Sequence, residues 1–250
     1  MTAQFKDHFS GGAAGYAAYR PTYPARLAAE LAAISPGTAL ALDCACGTGQ
    51  LSVLLADHFD AVVATDASAA QIAQAQPHER VRYATALAER SGLADGSVDL
   101  VTVAQAAHWF ELDKFYDEVR RVARPGAVLA LVTYGVQNVA GPADPVLQKF
   151  YAETLGPYWP PERRHVEEGY RNLAFPFQEV ALPALAMEAS WTAAELVGYV
   201  GTWSAVKEAR KALDADPVPA FARELEAAWG DPEQRRRVTW PLTVRAGRIA

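Results

Sequence analysis

The chain reads as an α/β protein built on a doubly wound, mostly parallel sheet, and three observations carry that reading. Apolar runs of strand length alternate with stretches of helical period from residue 39 to residue 134. The run ALALDCACGTGQ, residues 39–50, passes from a buried strand into a glycine turn that opens a helix. Of 250 residues, 51% are hydrophobic and 21% charged, enough for one large domain or one domain with a small subdomain.

Taken in order, residues 24–34 predict a helix stopped by Ser35, Pro36 and Gly37. Strand one follows at 39–43, then a helix at 50–58. AVVATD, 61–66, is strand two and ends in Asp66, after which Ser68 is placed to cap a helix running to Gln74. Strand three covers 81–85 and strand four 97–103, an amphipathic helix spans 112–122, and ARPGAVLALVTYG turns at Pro125 and Gly126 into strand five. From 136 to 186 the rhythm breaks: prolines and aromatics crowd GPYWPPERRHVEEGYRNLAFPF, which predicts an inserted cap beside the crevice. Regular structure resumes with a strand at 187–191, helices at 193–206 and 219–229, and a closing strand at 238–249.

Several functions are argued against. The net charge is −6, and the basic clusters (Arg120, Arg121 and Arg124; Arg163 and Arg164; Arg235 to Arg237) have acids close by and read as solvated helix faces, so no nucleic-acid partner is expected. No apolar run approaches the roughly 18 residues of a membrane span. The opening MTAQFKDHFSGG lacks the basic and apolar regions of a secretory signal, which makes the cytoplasm the expected location. Cys44 and Cys46 share a strand face at a spacing poorly suited to a disulfide and lack the companions of a zinc set, so they read as packing residues and no metal site is expected. The glycine turn is not a full G-x-G-x-x-G and the chain has no Tyr-x-x-x-Lys pair, which disfavours a nicotinamide-dependent oxidoreductase. The hydrolase string G-x-S-x-G, a phosphate loop and H-E-x-x-H are also missing.

Four segments together resemble one family: the turn at 43–49, the opening DHFSGGAAGYAAYRPTYP, AQAAHWF after strand four and RPGAVLAL leading into strand five. They are similar to the class I S-adenosylmethionine-dependent methyltransferases, in the small-molecule branch similar to trans-aconitate methyltransferase. The resemblance implies a Rossmann-like sheet of seven strands with the last antiparallel, in a single domain over 1–250 with a lid at 1–23 and a substrate cap at 136–186. It also implies S-adenosylmethionine as cofactor, S-adenosylhomocysteine as product and a small-molecule methyl acceptor as partner. Asp43, Ala45, Cys46, Gly47 and Gly49 then fall at the methionine part of the cofactor, and Asp66 with Ala67 at the ribose. Ala86, Ala88 and Glu89 after strand three, and Gln105 and Ala106 after strand four, border the adenine and the methyl group. Tyr16 and Arg20 join the cofactor set from the opening segment, Arg20 as a partner for its carboxylate. Where the family has a glycine this chain has Ala45, which adds a methyl group at the closest approach of the backbone.

An acid ending strand two can accept both ribose hydroxyls, while its plain alternative is a helix-capping role. His108 reads as a general base for a hydroxyl or amine acceptor, a donor orienting a carboxylate, or a structural imidazole. Trp109, Phe110, Tyr134, Tyr158 and Trp159 are expected to wall an apolar acceptor pocket. The chemistry that follows is in-line displacement of the methyl group by an acceptor oxygen, a carboxylate among the choices, or nitrogen. The alternative from another class is a cofactor-binding module without catalysis.

Overall fold

The computed structural model describes residues 21–249. The expected lid, 1–23, lies outside the described residues except for its last three, and so do Tyr16 and Arg20.

Helix α1 (Ala25–Ile34) starts after an extended Pro24 and buries Leu27, Ala28 and Leu31. Ser35 closes it by donating from its hydroxyl to the Leu31 carbonyl at 2.8 Å. The alternating units follow: β1 (Leu40–Cys44), α2 (Gln50–Leu55), β2 (Ala61–Asp66), α3 (Ala69–Ile72), β3 (Val81–Thr85), β4 (Val98–Ala104), α4 (Leu112–Val122) and β5 (Ala123–Tyr134). Ser68 caps α3 as its position predicts, accepting from the Gln71 amide. The strands β3, β2, β1, β4 and β5 lie side by side in that order, all parallel. Beyond them come β6 (Asn138–Val139), α5 (Asp144–Lys149), α6 (Arg163–Glu167), β7 (Gln178–Val180) and β8 (Leu185–Trp191). Three helices, α7 (Ala193–Val200), α8 (Ser204–Leu213) and α9 (Val218–Trp229), then lead to β9 (Arg236–Arg248).

The long strand β9 runs antiparallel to β5 on one edge and to β8 on the other. The sheet has nine strands among the described residues, two more than the seven expected. Both extra strands are short pieces on β9: β6 continues the edge occupied by β5, and β7 continues the edge occupied by β8. At 13 residues β9 is longer than either neighbour, and these pieces pair backbone groups that would otherwise be left over.

Side chains alternate across the sheet into two cores. Ala41, Leu100, Val128, Ala130 and Val132 pack with α1, α2, α7 and α9, while Leu42, Val101, Val103, Leu129 and Leu131 pack with Phe115, Tyr116 and Val119 of α4. Parallel strands covered on both faces leave their carboxyl ends as the open crevice.

Three sequence expectations need correction. The helix expected over 193–206 is two helices, because Trp203 is extended (φ −62°, ψ 142°) and starts α8, with its ring against Tyr199, Tyr151 and Trp159. The segment 136–186 is not merely irregular: Pro157, Pro160 and Pro161 divide it into short helical turns, including a wide turn over Phe150–Thr154 and a tight one over Gly156–Tyr158. The arginine clusters are not simply solvated helix faces. Arg124 lies on β5 and pairs with the buried Asp99 at 3.0 and 3.1 Å, and Asp99 also accepts the amides of Ala39 and Leu40 at the start of β1. Arg236 lies on β9 and covers the Trp229 ring. No helix among the described residues is long and apolar enough to cross a membrane.

Gly49 shows how tightly the glycine turn is packed. Its φ is +83°, and a Cβ there would stand 2.2 Å from the Tyr83 hydroxyl. Gly49→Ala should therefore lower the unfolding free energy by about 2 kcal/mol or more, from left-handed strain plus overpacking. Urea denaturation of the two proteins checks this.

Candidate active site

Two neighbouring strands leave the sheet through strained residues. Ala45, just past β1, has φ +53°, and Gln105, just past β4, has φ +58°. A left-handed backbone costs a residue with a Cβ about 1–2 kcal/mol, and such strain collects where a site must be shaped. At Ala45 the consequence is conformational as well as steric: the position demands the left-handed region that glycine enters freely. Tyr170, which reaches the same corner, is a third such residue, with φ +60°.

The turn after β1 is held by two carboxylates. Asp43 is buried, and its carboxylate accepts the hydroxyls of Ser52 in α2 at 2.6 Å and Thr102 in β4 at 2.8 Å. Burial pushes its pKa up to about 6, against the two hydroxyl donors, which pull it down. Asp66, at the end of β2, accepts the Gly47 amide on one oxygen at 2.9 Å and the Ser68 amide on the other at 2.8 Å. Each oxygen keeps lone-pair capacity for a further donor. Ala67 is half-buried between them. Among the described residues a Cβ added at Gly47 would meet only Gln71 Oε1, at 3.8 Å, an ordinary contact, so nothing described presses on the α-carbon. The cleft at this point is lined by Asp43, Ala45, Cys46, Gly47 and Thr48 of the expected turn and by Tyr23 at the end of the expected lid, together with Gln50, Leu51 and Ala104, which the sequence reading did not place at the site. Burial raises the thiol pKa values of Cys44 and Cys46, with Asp43 nearby adding to it, so neither is poised as a nucleophile.

After β3, the Ala86 amide donates to the Asp66 carbonyl at 3.1 Å, Leu87 is 53% exposed and Ala88 is buried. The Glu89 carboxylate accepts the Glu111 amide on one oxygen at 3.0 Å, at the start of α4. After β4, Gln105 is tied to β5, donating to the Tyr134 carbonyl at 2.8 Å and accepting from the Thr133 hydroxyl at 2.7 Å. Ala106 is buried beside it.

His108 lies in a short turn, half-buried, with Nδ1 2.9 Å from the Tyr170 hydroxyl and its ring 4.7 Å from that of Trp109. Its pKa is lowered to about 4, first by burial and then by the charges of His165 and Arg163, so the imidazole is neutral across the neutral range. The five rings expected to wall one pocket are not gathered together. Trp109 is 39% exposed beside His108, but Phe110 packs edge-on against Phe115 of α4, in the core on the opposite side of the sheet from Tyr134, Tyr158 and Trp159. Tyr134 meets Tyr23. Trp159 joins Tyr151 and Trp203, and Arg163 lies over the Trp159 ring at 4.9 Å while donating from Nε to the Tyr151 hydroxyl at 2.9 Å. Arg163 and Tyr170 thus act on His108 without a local sequence signal marking them. Among the described residues no cluster of three side chains is suited to hold a metal ion.

Known proteins resemble this chain in sequence and fold. A family profile described as a methyltransferase domain matches residues 42–131. A Dictyostelium discoideum protein named as a methyltransferase is 34% identical over 230 residues, covering 90% of this chain and 88% of its own length. A Saccharomyces cerevisiae protein named as an S-adenosylmethionine-dependent methyltransferase is 32% identical over 130 residues, 48% of this chain and 45% of its own. A solved structure described as a type II methyltransferase from Anaeromyxobacter dehalogenans superposes with a TM-score of 0.89 at 52% identity, covering 92% of this chain and 98% of that one.

Asp43 makes the stability of this end of the sheet depend on pH. Its folded-state pKa, about 6, lies above the ordinary 3.8. The stability it contributes is therefore complete below pH ~4 and lost as pH rises through ~6. Asp43→Asn removes that dependence. Relative to wild type, the variant should gain about 3 kcal/mol between pH 4 and pH 7.5, measured by urea unfolding across that range.

Proposed function

Because this chain belongs to the class I S-adenosylmethionine-dependent methyltransferases, we propose that it transfers a methyl group from S-adenosylmethionine to an oxygen or nitrogen of a small molecule. The reading extends to the branch similar to trans-aconitate methyltransferase and to a cytoplasmic enzyme that needs neither metal nor nucleic acid. The observation that carries it is the pairing of Asp66 with the Gly47 turn. A carboxylate with spare lone pairs stands at the end of β2, bonded to the amide of a glycine whose α-carbon is not crowded by any described residue.

These residues fit the cofactor. Asp66 would accept the two ribose hydroxyls with the capacity left after its amide bonds. The strained turn from Ala45 to Gly49 would present backbone to the methionine part, and the residues from Ala86 to Glu89 and from Gln105 to His108 would border the adenine and the methyl group. When bound, S-adenosylmethionine supplies a methyl group already activated on a sulfonium. What remains for the protein is alignment and exclusion of water. Trp109 and the segment 136–186, with Trp159 and Tyr158, would close over the acceptor as a cap.

Calorimetric titration with S-adenosylhomocysteine, beside NADH and NADPH, tests the reading. Saturable binding of S-adenosylhomocysteine alone is expected, and Asp66→Ala should weaken it at least ~10-fold, the worth of about 1.4 kcal/mol. Binding of a nicotinamide instead, or unchanged affinity in the variant, would remove the ribose assignment.

A further inference from the structure

We propose that Tyr170 is a positioning residue that holds His108 as a neutral imidazole with its proton on Nε2, so that His108 meets the acceptor as a hydrogen-bond donor and not as a general base. The inference rests on the methyltransferase reading for its acceptor, but not for its geometry.

Tyr170 is delivered to His108 by an unusual piece of backbone. Gly169 and Tyr170 are successive left-handed residues, with φ +61° and +60°. A Cβ at Gly169 would stand 2.9 Å from Thr243 of β9, so close packing as well as conformation requires glycine there. Arg245 of β9 grips the far side, donating from Nη1 to the carbonyls of Tyr170 at 2.8 Å and Leu173 at 2.9 Å. The Tyr170 amide bonds the His165 carbonyl at 2.8 Å. A strained residue anchored this heavily, with its side chain fully buried and its hydroxyl 2.9 Å from Nδ1, is held for what the hydroxyl does.

The direction of that hydrogen bond follows from acidity. Burial pushes the Tyr170 phenol above its ordinary range, so it keeps its proton. A phenol is the better donor of the two groups, and an imidazole nitrogen the better acceptor. The Tyr170 hydroxyl also bonds the Ala107 amide and the Thr133 side chain, whose own proton goes to Gln105. Of the two acceptors then open to its proton the imidazole nitrogen is the stronger, so Tyr170 donates to Nδ1 and the single proton of neutral His108 sits on Nε2. The groups whose charges act on the ring, His165 and Arg163, oppose a second proton on it. Arg163 itself strengthens the donor character of this corner. Among the described residues it makes no ion pair, its backbone amide donates to Pro160, and its guanidinium makes one hydrogen bond, from Nε to Tyr151, which leaves both terminal nitrogens as donors. A corner with His108 Nε2–H and the terminal nitrogens of a guanidinium as donors suits an acceptor bearing an electron-rich oxygen that is already ionised near neutral pH.

Long-range 1H–15N correlation spectra of the full chain labelled with 15N-histidine report the tautomer directly, with His108→Gln identifying the resonances. At pH 7 His108 should show a protonated Nε2 and a bare Nδ1, unchanged down to pH 5. Tyr170→Phe should convert this to a mixture of tautomers and raise the ring's titration midpoint by about one pH unit, the worth of one hydrogen bond. A proton on Nδ1 in the wild type would overturn the proposal, as would an unaltered tautomer in a folded Tyr170→Phe. Should that variant not fold, the wild-type spectrum decides alone. Titration of the wild type with S-adenosylhomocysteine tests the methyltransferase reading separately, because that binding does not depend on the tautomer.

Discussion

Asp43 sits buried where two strands and a helix meet, and its carboxylate accepts hydroxyl hydrogen bonds from Thr102 of β4 and Ser52 of α2. A buried charge is tolerated only where its oxygens are satisfied, so this one carboxylate ties the end of β1 to its neighbour strand and to the helix that follows the turn. Everything that makes the crevice usable hangs from that tie. Ala45 can remain left-handed because the backbone on either side of it is pinned, and the Gly47 amide can face Asp66 because the turn cannot swing outward. Asp43 and Asp66, both acids at strand ends, thus do different work. The first is sealed in and braces the backbone, while the second is half-exposed with capacity to spare.

Strain follows a similar pattern. Of the four non-glycine residues with positive φ among those described, Ala45, Gln105 and Tyr170 shape one corner of the molecule, and the fourth, Asp214, only ends a helix. Strain of this kind persists where the surroundings over-determine it. Gln105 is locked by Thr133 and Tyr134 of β5, and Tyr170 by Arg245 of β9. The antiparallel strand therefore does more than close the sheet. It carries the arginine that fixes the cap segment over the end of β4.

The parts of the site that were legible were those with a local cause. The helix at 112–122 and the strand at 61–66 fall where their patterns place them, because amphipathic period and apolar runs are properties of neighbouring residues. Ser68 caps its helix for the same reason. Phe110 shows the limit: it follows His108 and Trp109 in sequence, yet a short turn sends it to the opposite core, and no spacing rule covers a turn of that kind. Arg163 reads as one of a solvated pair, and only the fold stacks it on Trp159.

The sequence by itself determined the alternating α/β architecture, the glycine turn after the first strand and the acid at the end of the second, since each is written in residues next to one another. Tertiary structure alone decided that Glu89 serves the start of α4, that Tyr170 addresses His108 from 62 residues away, and that Arg163 faces the same corner. The physical reason is common to all three. Hydrogen bonds and ring stacking between distant residues act over a few ångströms of space, and they exist only once the sheet and its two cores have brought those segments together.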